Sequence, residues 1–73
     1  MESHLEKRRL VILLQKGMTQ REIAEKMGVH QPKVSEWLNG LRMPNTKTLY
    51  KLAEVLEEEP VRLVETLKQI SEL

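Results

Sequence analysis

Residues 19–40 of this 73-residue chain, TQREIAEKMGVHQPKVSEWLNG, decide how it folds. The stretch opens on a capping box, because Thr19 is followed three residues later by Glu22. The Thr hydroxyl can accept the amide of Glu22 and the Glu side chain can accept the amide of Thr19, which starts a helix. Gly28 tolerates the left-handed backbone that closes a helix, so the pattern predicts a short helix between Thr19 and Gly28.

A second helix follows this turn. Pro32 is tolerated only in the first turn of a helix, so the helix begins near His30 or Gln31. It ends at residues 39–40, Asn-Gly, after about two turns. A helix of that length does not persist alone in water, so other elements must pack beneath it.

Two short helices joined by a tight turn and crossing at about 90–120° form a helix-turn-helix. The crossing requires a small residue, which Ala24 supplies, and the turn requires Gly28. The second helix must be apolar on its inner face alone. The residues predicted to form the structural core of this motif are Ile23, Ala24, Met27, Gly28, Val29, Val34, Trp37 and Leu38.

The remaining sequence predicts three more helices and no strand, since no segment alternates apolar and polar residues. Asn45 caps the fourth helix, and Pro60 starts the fifth. We therefore expect one all-α domain over residues 1–73, a compact five-helix fold with a helix-turn-helix at residues 19–40. The three further helices are predicted at residues 3–16, 45–56 and 60–73.

Apolar spacing predicts which face of each flanking helix is buried. The predicted inward residues are Leu10, Leu13 and Leu14 in the first helix, Leu49, Leu52, Ala53 and Leu56 in the fourth, and Leu63, Val64, Leu67 and Ile70 in the fifth. Leu5 and Ile12 lie nearly opposite the inward face of the first helix. These two side chains must pack on another element or remain exposed.

The composition argues against several classes of protein. The chain has no cysteine and two histidines, so neither a disulfide nor a structural zinc site is expected. No apolar run approaches the roughly 18 residues of a membrane span, so we expect a soluble, cytoplasmic protein with no membrane partner. Catalytic and metal-binding constellations are lacking, so we expect no enzyme activity, no cofactor and no small-molecule substrate.

Charge is distributed unevenly, although the formal net charge is only +1. Residues 1–51 carry ten Lys or Arg and five Glu, whereas residues 52–73 carry two and six. A basic front and an acidic back predict a polarised surface whose basic side attracts a polyanion such as nucleic acid. Ordinary solvated helix faces are the alternative interpretation.

Taken together, residues 19–40 closely resemble the helix-turn-helix of the phage repressor/Cro-like (XRE-type) family of DNA-binding domains. The matching features are Thr19-Gln20 opening the first helix, Ala24 at the crossing, Gly28-Val29 in the turn, Gln31 heading the second helix, Val34 and Trp37 facing inward, and Asn39-Gly40 closing it. Residues 43–56 resemble the family's fourth helix, so the resemblance covers about residues 5–70. His30 departs from the Ser or Thr that often caps this helix, and Glu36 departs from the usual basic or amide residue.

The resemblance implies sequence-specific binding of double-stranded DNA, typical of a transcriptional repressor, through a recognition helix near residues 30–39 in the major groove. Gln31 can pair with adenine, and Glu36 can accept from cytosine N4. The predicted base-reading residues are Gln31, Pro32, Lys33, Ser35 and Glu36. The predicted phosphate-contacting residues are Gln20, Arg21, His30, Asn39, Arg42, Asn45, Thr46 and Lys47.

Several alternatives stand beside this interpretation. Glu36 can instead pair with Lys33 one turn earlier, and Trp37 is expected in the core rather than on a stacking surface. A helix-turn-helix can also serve as a protein-protein interaction module, because fold does not fix function. The good caps and the Glu-, Lys- and Leu-rich composition fit a designed scaffold as well as a natural, nucleoid-associated bacterial regulator.

A homodimer is a further expectation, since one short recognition helix reads few base pairs and natural members usually bind as symmetric dimers. Leu5, Ile12, Val61 and Leu73 are the apolar residues that can contribute to such a surface. The sequence contains no clear dimer seam, so both a monomer and a weak dimer are considered.

Overall fold

The structure, a computed structural model, describes the backbone of residues 2–73 and the side chains from residue 5 onward. This part of the chain contains five α-helices and no strand, as the sequence predicts. None of these helices is long and apolar enough to cross a membrane. The helices are α1 (Glu2–Leu14), α2 (Gln20–Met27), α3 (Gln31–Leu38), α4 (Thr46–Val55) and α5 (Pro60–Glu72).

The C-terminal helix α5 holds the fold together. It packs against α1, α3 and α4, while α2 packs against α3 and α4. Its buried side chains are Leu63, Leu67 and Ile70, each at most 1% exposed. The radius of gyration is 11.2 Å, which matches the roughly 11 Å expected of a compact chain of this length. Helix α3, only eight residues long, therefore rests on a continuous apolar core.

The predicted core is largely confirmed. All the predicted residues of α2 and α3 are buried, with Val29 half-buried against the core and Gly28 exposed in the turn. In α4 and α5 the predicted apolar faces are also correct, although Leu49 and Val64 are only half-buried. Local spacing therefore identifies the inner faces of four of the five helices.

The predicted core face of the first helix is partly wrong. Leu13 is 63% exposed, whereas Val11 is 7% exposed and Leu14 is 4% exposed. Residues 10–14 are all apolar, so periodicity alone does not choose among the faces. Packing against α5 makes that choice. Leu5 and Ile12 remain exposed, one of the two outcomes expected for them.

Helix α1 also ends earlier than predicted. It stops at Leu14, and residues 15–17 form a turn in which both Lys16 (φ 54°) and Gly17 (φ 82°) are left-handed. Lys16 Nζ lies 3.2 Å from Glu58 Oε2, in the turn between α4 and α5. This ion pair links the end of α1 to the C-terminal half of the fold.

Candidate nucleic-acid interface

Helix α2 begins with the predicted capping box. The Glu22 amide donates to the Thr19 hydroxyl at 3.0 Å, and the Thr19 amide donates to Glu22 Oε1 at 3.0 Å. The hydrogen bond from the Thr19 amide lowers the pKa of the Glu22 carboxyl from its ordinary value, with smaller effects from the Thr19 hydroxyl and the charge of Lys26. These local bonds fix where α2 starts and hence where Gln20, its first residue, is placed.

The turn between α2 and α3 is a Schellman motif. Gly28 has φ 72°, the left-handed conformation predicted for it. The Val29 amide donates to the Ala24 carbonyl at 3.0 Å, and the Gly28 amide donates to the Glu25 carbonyl at 3.3 Å. Both bonds satisfy carbonyls that the end of α2 would otherwise leave open. The turn therefore sets the direction in which α3 leaves α2.

Helix α3 is buried on one side and open on the other. Val34 and Leu38 are fully buried and Trp37 is 6% exposed, which confirms that the Trp belongs to the core. The helix starts at Gln31, and His30 occupies the N-cap position without a side-chain hydrogen bond. Pro32 lies in the first turn, as predicted.

The predicted base-reading residues lie on the open side of α3 to different degrees. Gln31, Pro32 and Lys33 are exposed, whereas Ser35 and Glu36 are half-buried. The alternative ion pair between Lys33 and Glu36 is not present. Among the described side chains, the ion pair that forms is Lys16–Glu58. The N-terminal half of α3 is thus its most accessible part.

Asn39 closes the C-terminus of α3. Its Nδ2 donates to the Ser35 carbonyl at 2.8 Å and lies 3.3 Å from the Ser35 hydroxyl oxygen. The amide nitrogen is therefore engaged within the protein. A phosphate contact from Asn39 stays a prediction and would require this amide to exchange its partners.

The loop after α3 is anchored by a second Schellman motif. Gly40 has φ 74°, and the Leu41 amide donates to the Glu36 carbonyl at 2.9 Å. The Gly40 amide donates to the Trp37 carbonyl at 3.2 Å. At Asn45 the predicted cap of α4 is present, with the Thr48 amide donating to the Asn45 side-chain oxygen at 2.8 Å.

The predicted phosphate-contacting residues separate into two clefts and a scattered group. The first cleft, of about 420 Å³, contains Gln20 and Asn39. The second, of about 430 Å³, contains Arg42 and Asn45 together with Lys33. Four predicted residues are exposed outside both clefts, namely Arg21, His30, Thr46 and Lys47.

The first cleft also contains residues that the sequence did not single out. Lys7, Arg8 and Gln15 of the α1 region line it beside Gln20. The available signal was the spacing of positions 7, 11 and 15, which share one helix face. No group of three or more His, Cys, Asp or Glu side chains among the described residues is placed to hold a metal ion.

These elements define an all-α domain with a central helix-turn-helix. A family model described as helix-turn-helix matches residues 7–63, which is 57 of the 73 residues. The chain belongs to this family, the Cro/repressor or XRE type, whose members are DNA-binding domains of transcriptional regulators rather than enzymes. Comparisons with curated proteins and with solved structures give no match.

Proposed function

We propose that this domain binds double-stranded DNA sequence-specifically, with α3 as the recognition helix in the major groove. The observation that carries the proposal is the two-sided character of α3. Its inner side is locked by Val34 and Leu38, each 0% exposed, while Gln31 is exposed at its N-terminal end. A recognition helix presents that end to the base edges.

The exposed side chains suit direct reading of bases. Gln31 can donate to adenine N7 and accept from adenine N6 in a bidentate pair. Pro32 offers an apolar surface for a thymine methyl group, and Lys33 can reach guanine or a phosphate. Ser35 and Glu36 lie one turn further along and contact bases only if α3 enters the groove deeply.

Backbone contacts would fix the register of α3 on the duplex. The first cleft holds Gln20 and the second holds Arg42, and the two clefts share no lining residue. Lys33 and Asn39, which border different clefts, are six residues apart and therefore about 120° apart around the axis of α3. Phosphate contacts on two edges of a recognition helix would position it without carrying sequence information themselves.

The experiment that tests this function is a selection from a random double-stranded DNA pool, run with the wild type, Gln31→Ala and Gln69→Ala. Gln69 is an exposed glutamine of α5 and serves as the matched control. We expect a motif for the wild type and for Gln69→Ala. We expect Gln31→Ala to relax one position of that motif, at a cost of about 1–3 kcal/mol. Absence of a wild-type motif, or equal behaviour of the two variants, contradicts direct reading by α3.

A protein-interaction role is the second candidate function. Leu5, Ile12 and Leu13 of α1 are each more than 60% exposed, with Arg8 and Arg9 between them. Exposed apolar side chains grouped in this way are typical of interaction surfaces, including those of homodimers. Salt distinguishes the two functions, since DNA binding weakens steeply with salt in proportion to the phosphates contacted.

A further inference from the structure

The hydroxyl of Ser35 on α3 is bonded differently from two hydroxyls of α5. Thr66 Oγ1 donates to the Arg62 carbonyl at 2.9 Å, and Ser71 Oγ donates to the Lys68 carbonyl at 2.8 Å. A helical hydroxyl commonly places its hydrogen in this way, on a carbonyl of the preceding turn. The Ser35 hydroxyl donates to no group among the side chains and backbone of residues 5–73, and it accepts instead.

The donor to Ser35 is the side-chain amide of Asn39. Its Nδ2 lies 2.8 Å from the Ser35 carbonyl oxygen and 3.3 Å from the Ser35 hydroxyl oxygen. A carbonyl oxygen can only accept, so the atom beside it is the NH₂ group of Asn39 and not the amide oxygen. That group has two hydrogens, one for each oxygen of Ser35. The Ser35 hydroxyl is therefore an acceptor toward Asn39.

This bond fixes the polarity that the Ser35 hydroxyl offers to a ligand. A hydroxyl has one hydrogen to donate and two lone pairs with which to accept. Because Asn39 occupies one lone pair, the hydrogen is the group left to pair outside the protein. If Ser35 accepted from a base as well, its oxygen would face two donors while its own hydrogen stayed unpaired. An unpaired polar group is costly once water is excluded, so donation is the favoured role.

Ser35 also lies where a base can meet this hydrogen. Gln31, Ser35 and Asn39 follow one another at intervals of four residues, so they form a row along one side of α3. Gln31 is exposed and Ser35 is half-buried. One helical turn rises about 5.4 Å, whereas successive base pairs are about 3.4 Å apart. Ser35 therefore meets a different base pair from the one that Gln31 meets.

The four bases differ in what they offer a hydrogen-bond donor in the major groove. Guanine presents N7 and O6, thymine presents O4 and adenine presents N7, whereas cytosine presents only its N4 donor. We infer that Asn39 is a positioning residue for base reading, which holds the Ser35 hydroxyl as a donor and thereby excludes cytosine from the base that Ser35 contacts. The inference rests on the proposed DNA-binding function and adds a second base position, of defined polarity, to the one assigned to Gln31.

The test repeats the selection from a random duplex pool with Ser35→Ala, Asn39→Ala and Ser71→Ala. Ser71→Ala is the matched control, because it removes an exposed serine hydroxyl from α5. We expect the wild type and the control to exclude cytosine at one position, distinct from the position that Gln31→Ala relaxes. Ser35→Ala should lower the discrimination against cytosine there by about 3- to 10-fold, the effect of one hydrogen bond. Asn39→Ala should relax the same position, because a released hydroxyl can turn to donate or accept.

Asn39→Asp distinguishes positioning from a structural role at the end of α3. A carboxylate can only accept, so the Ser35 hydroxyl would donate to it and offer a lone pair to the base. We expect this variant to admit cytosine preferentially at the Ser35 position, while its negative charge weakens binding to all duplexes alike. A merely structural role would weaken binding without changing the preferred base. The double variant Ser35→Ala/Asn39→Ala should relax the motif no further than Ser35→Ala does, since both residues act through one hydroxyl.

Several results overturn the inference. Uniform weakening by Asn39→Ala, with cytosine still excluded, would mean that the Asn39 amide contacts a phosphate instead. A Ser35→Ala motif identical to that of the wild type would mean that Ser35 reads no base. Ser35→Thr, which retains the hydroxyl, should keep cytosine excluded, and loss of the preference in this variant also contradicts a donor role for the hydroxyl.

The two proposals fail in different ways. If the wild type selects no motif, the proposed function fails, and this inference fails with it. If Gln31→Ala relaxes one position while Ser35→Ala and Asn39→Ala change none, the proposed function stands and the positioning role of Asn39 alone is rejected. Thermal melting of each variant, followed by circular dichroism, separates a lost contact from a lost fold.

Discussion

Helix α3, the proposed recognition helix, is bounded by two turns that use the same backbone motif but depend on different forces. Both turns place a left-handed glycine after a helix, Gly28 with φ 72° and Gly40 with φ 74°. A Cβ added at Gly28 would meet no atom within 4 Å. A Cβ added at Gly40 would lie 2.6 Å from the Cα of Ser71 and 2.8 Å from its backbone nitrogen.

The turn before α3 is therefore locally determined, whereas the turn after it is also held by the backbone of α5. Gly28 is needed for its backbone conformation alone. Gly40 is needed both for its conformation and for its lack of a side chain, because α5 passes directly over it. The N-terminal end of α3 is set by residues close in sequence, and its other end is fixed by a contact across 31 positions of chain.

Replacing Gly40 by Ala is the change with the largest expected effect. A left-handed alanine costs about 1–2 kcal/mol, and forcing a methyl group against packed backbone costs about 1–3 kcal/mol more. We expect Gly40→Ala to lower the free energy of unfolding by about 2–5 kcal/mol, as measured by urea denaturation. A small domain has little stability to lose, so partial unfolding at 25 °C is within this range.

The matched control for this change is Gly28→Ala, which carries the conformational cost without the clash. We expect it to lower the free energy of unfolding by about 1–2 kcal/mol. Equal losses in the two variants would show that α5 does not press on Gly40 in solution. The turns at Gly28 and Gly40 would then both depend on local backbone conformation alone.

The same distinction explains what the sequence could predict of the fold. The capping box at Thr19, the turn at Gly28 and the cap at Asn45 are set by neighbours within a few residues, and all three are confirmed. The buried face of α1 could not be predicted from the sequence, because residues 10–14 are all apolar. Packing against α5 chooses which of these side chains are buried. That choice exposes Leu13 and buries Val11.

The candidate site also has one part that the sequence predicts from local spacing and one part that depends on tertiary packing. The open side of α3 could be read from sequence, because Val34 and Trp37 fix its buried side by helical spacing. The contribution of α1 to the first cleft could not be predicted from the sequence, since this cleft, which Lys7 lines, exists only where three helical regions meet. The run Lys7-Arg8-Arg9 shows a concentration of charge, but not which of the three residues turns toward the motif.

Thr19→Ala tests whether the turn before α3 depends on local bonds alone. Loss of the N-cap hydroxyl should lower the free energy of unfolding by about 0.5–2 kcal/mol. The pKa of Glu22 is held below its ordinary value of 4.5 chiefly by the Thr19 amide, and loosening the capping box should raise it toward that value. Nuclear magnetic resonance titration of the Glu22 side chain measures the change, and Thr19→Ser, which retains the hydroxyl, should leave it lowered.

The sign of the pH effect follows from the lowered pKa. A carboxyl with a lower pKa in the folded state stabilises the protein above its unfolded value and loses that contribution as pH falls through the folded value. The wild type should therefore lose stability below about pH 4.5 more steeply than Thr19→Ala. Identical acid profiles would mean that the capping box does not persist in solution.

The smallest expected effect is a gain in stability, at a third turn of the same kind. After α4 the left-handed position is occupied by Glu57, with φ 53°, and the Glu58 amide donates to the Ala53 carbonyl at 2.8 Å. Glycine would remove the steric strain of this conformation but would increase the freedom of the unfolded chain. We expect Glu57→Gly to raise the free energy of unfolding by about 0.5–1 kcal/mol, the left-handed cost removed less the added freedom of the unfolded chain.

Glu57→Ala is the control for this last change, because it removes the same charge while keeping a Cβ at the left-handed position. It should give no gain, and urea denaturation of the pair measures the difference. If the two variants are equally stable, the charge of Glu57 rather than its backbone conformation limits this turn. A gain from glycine alone would show that a left-handed turn can form on local bonds without glycine, at a measurable cost. The requirement at Gly40 would then be explained by the proximity of Ser71 in addition to its positive φ.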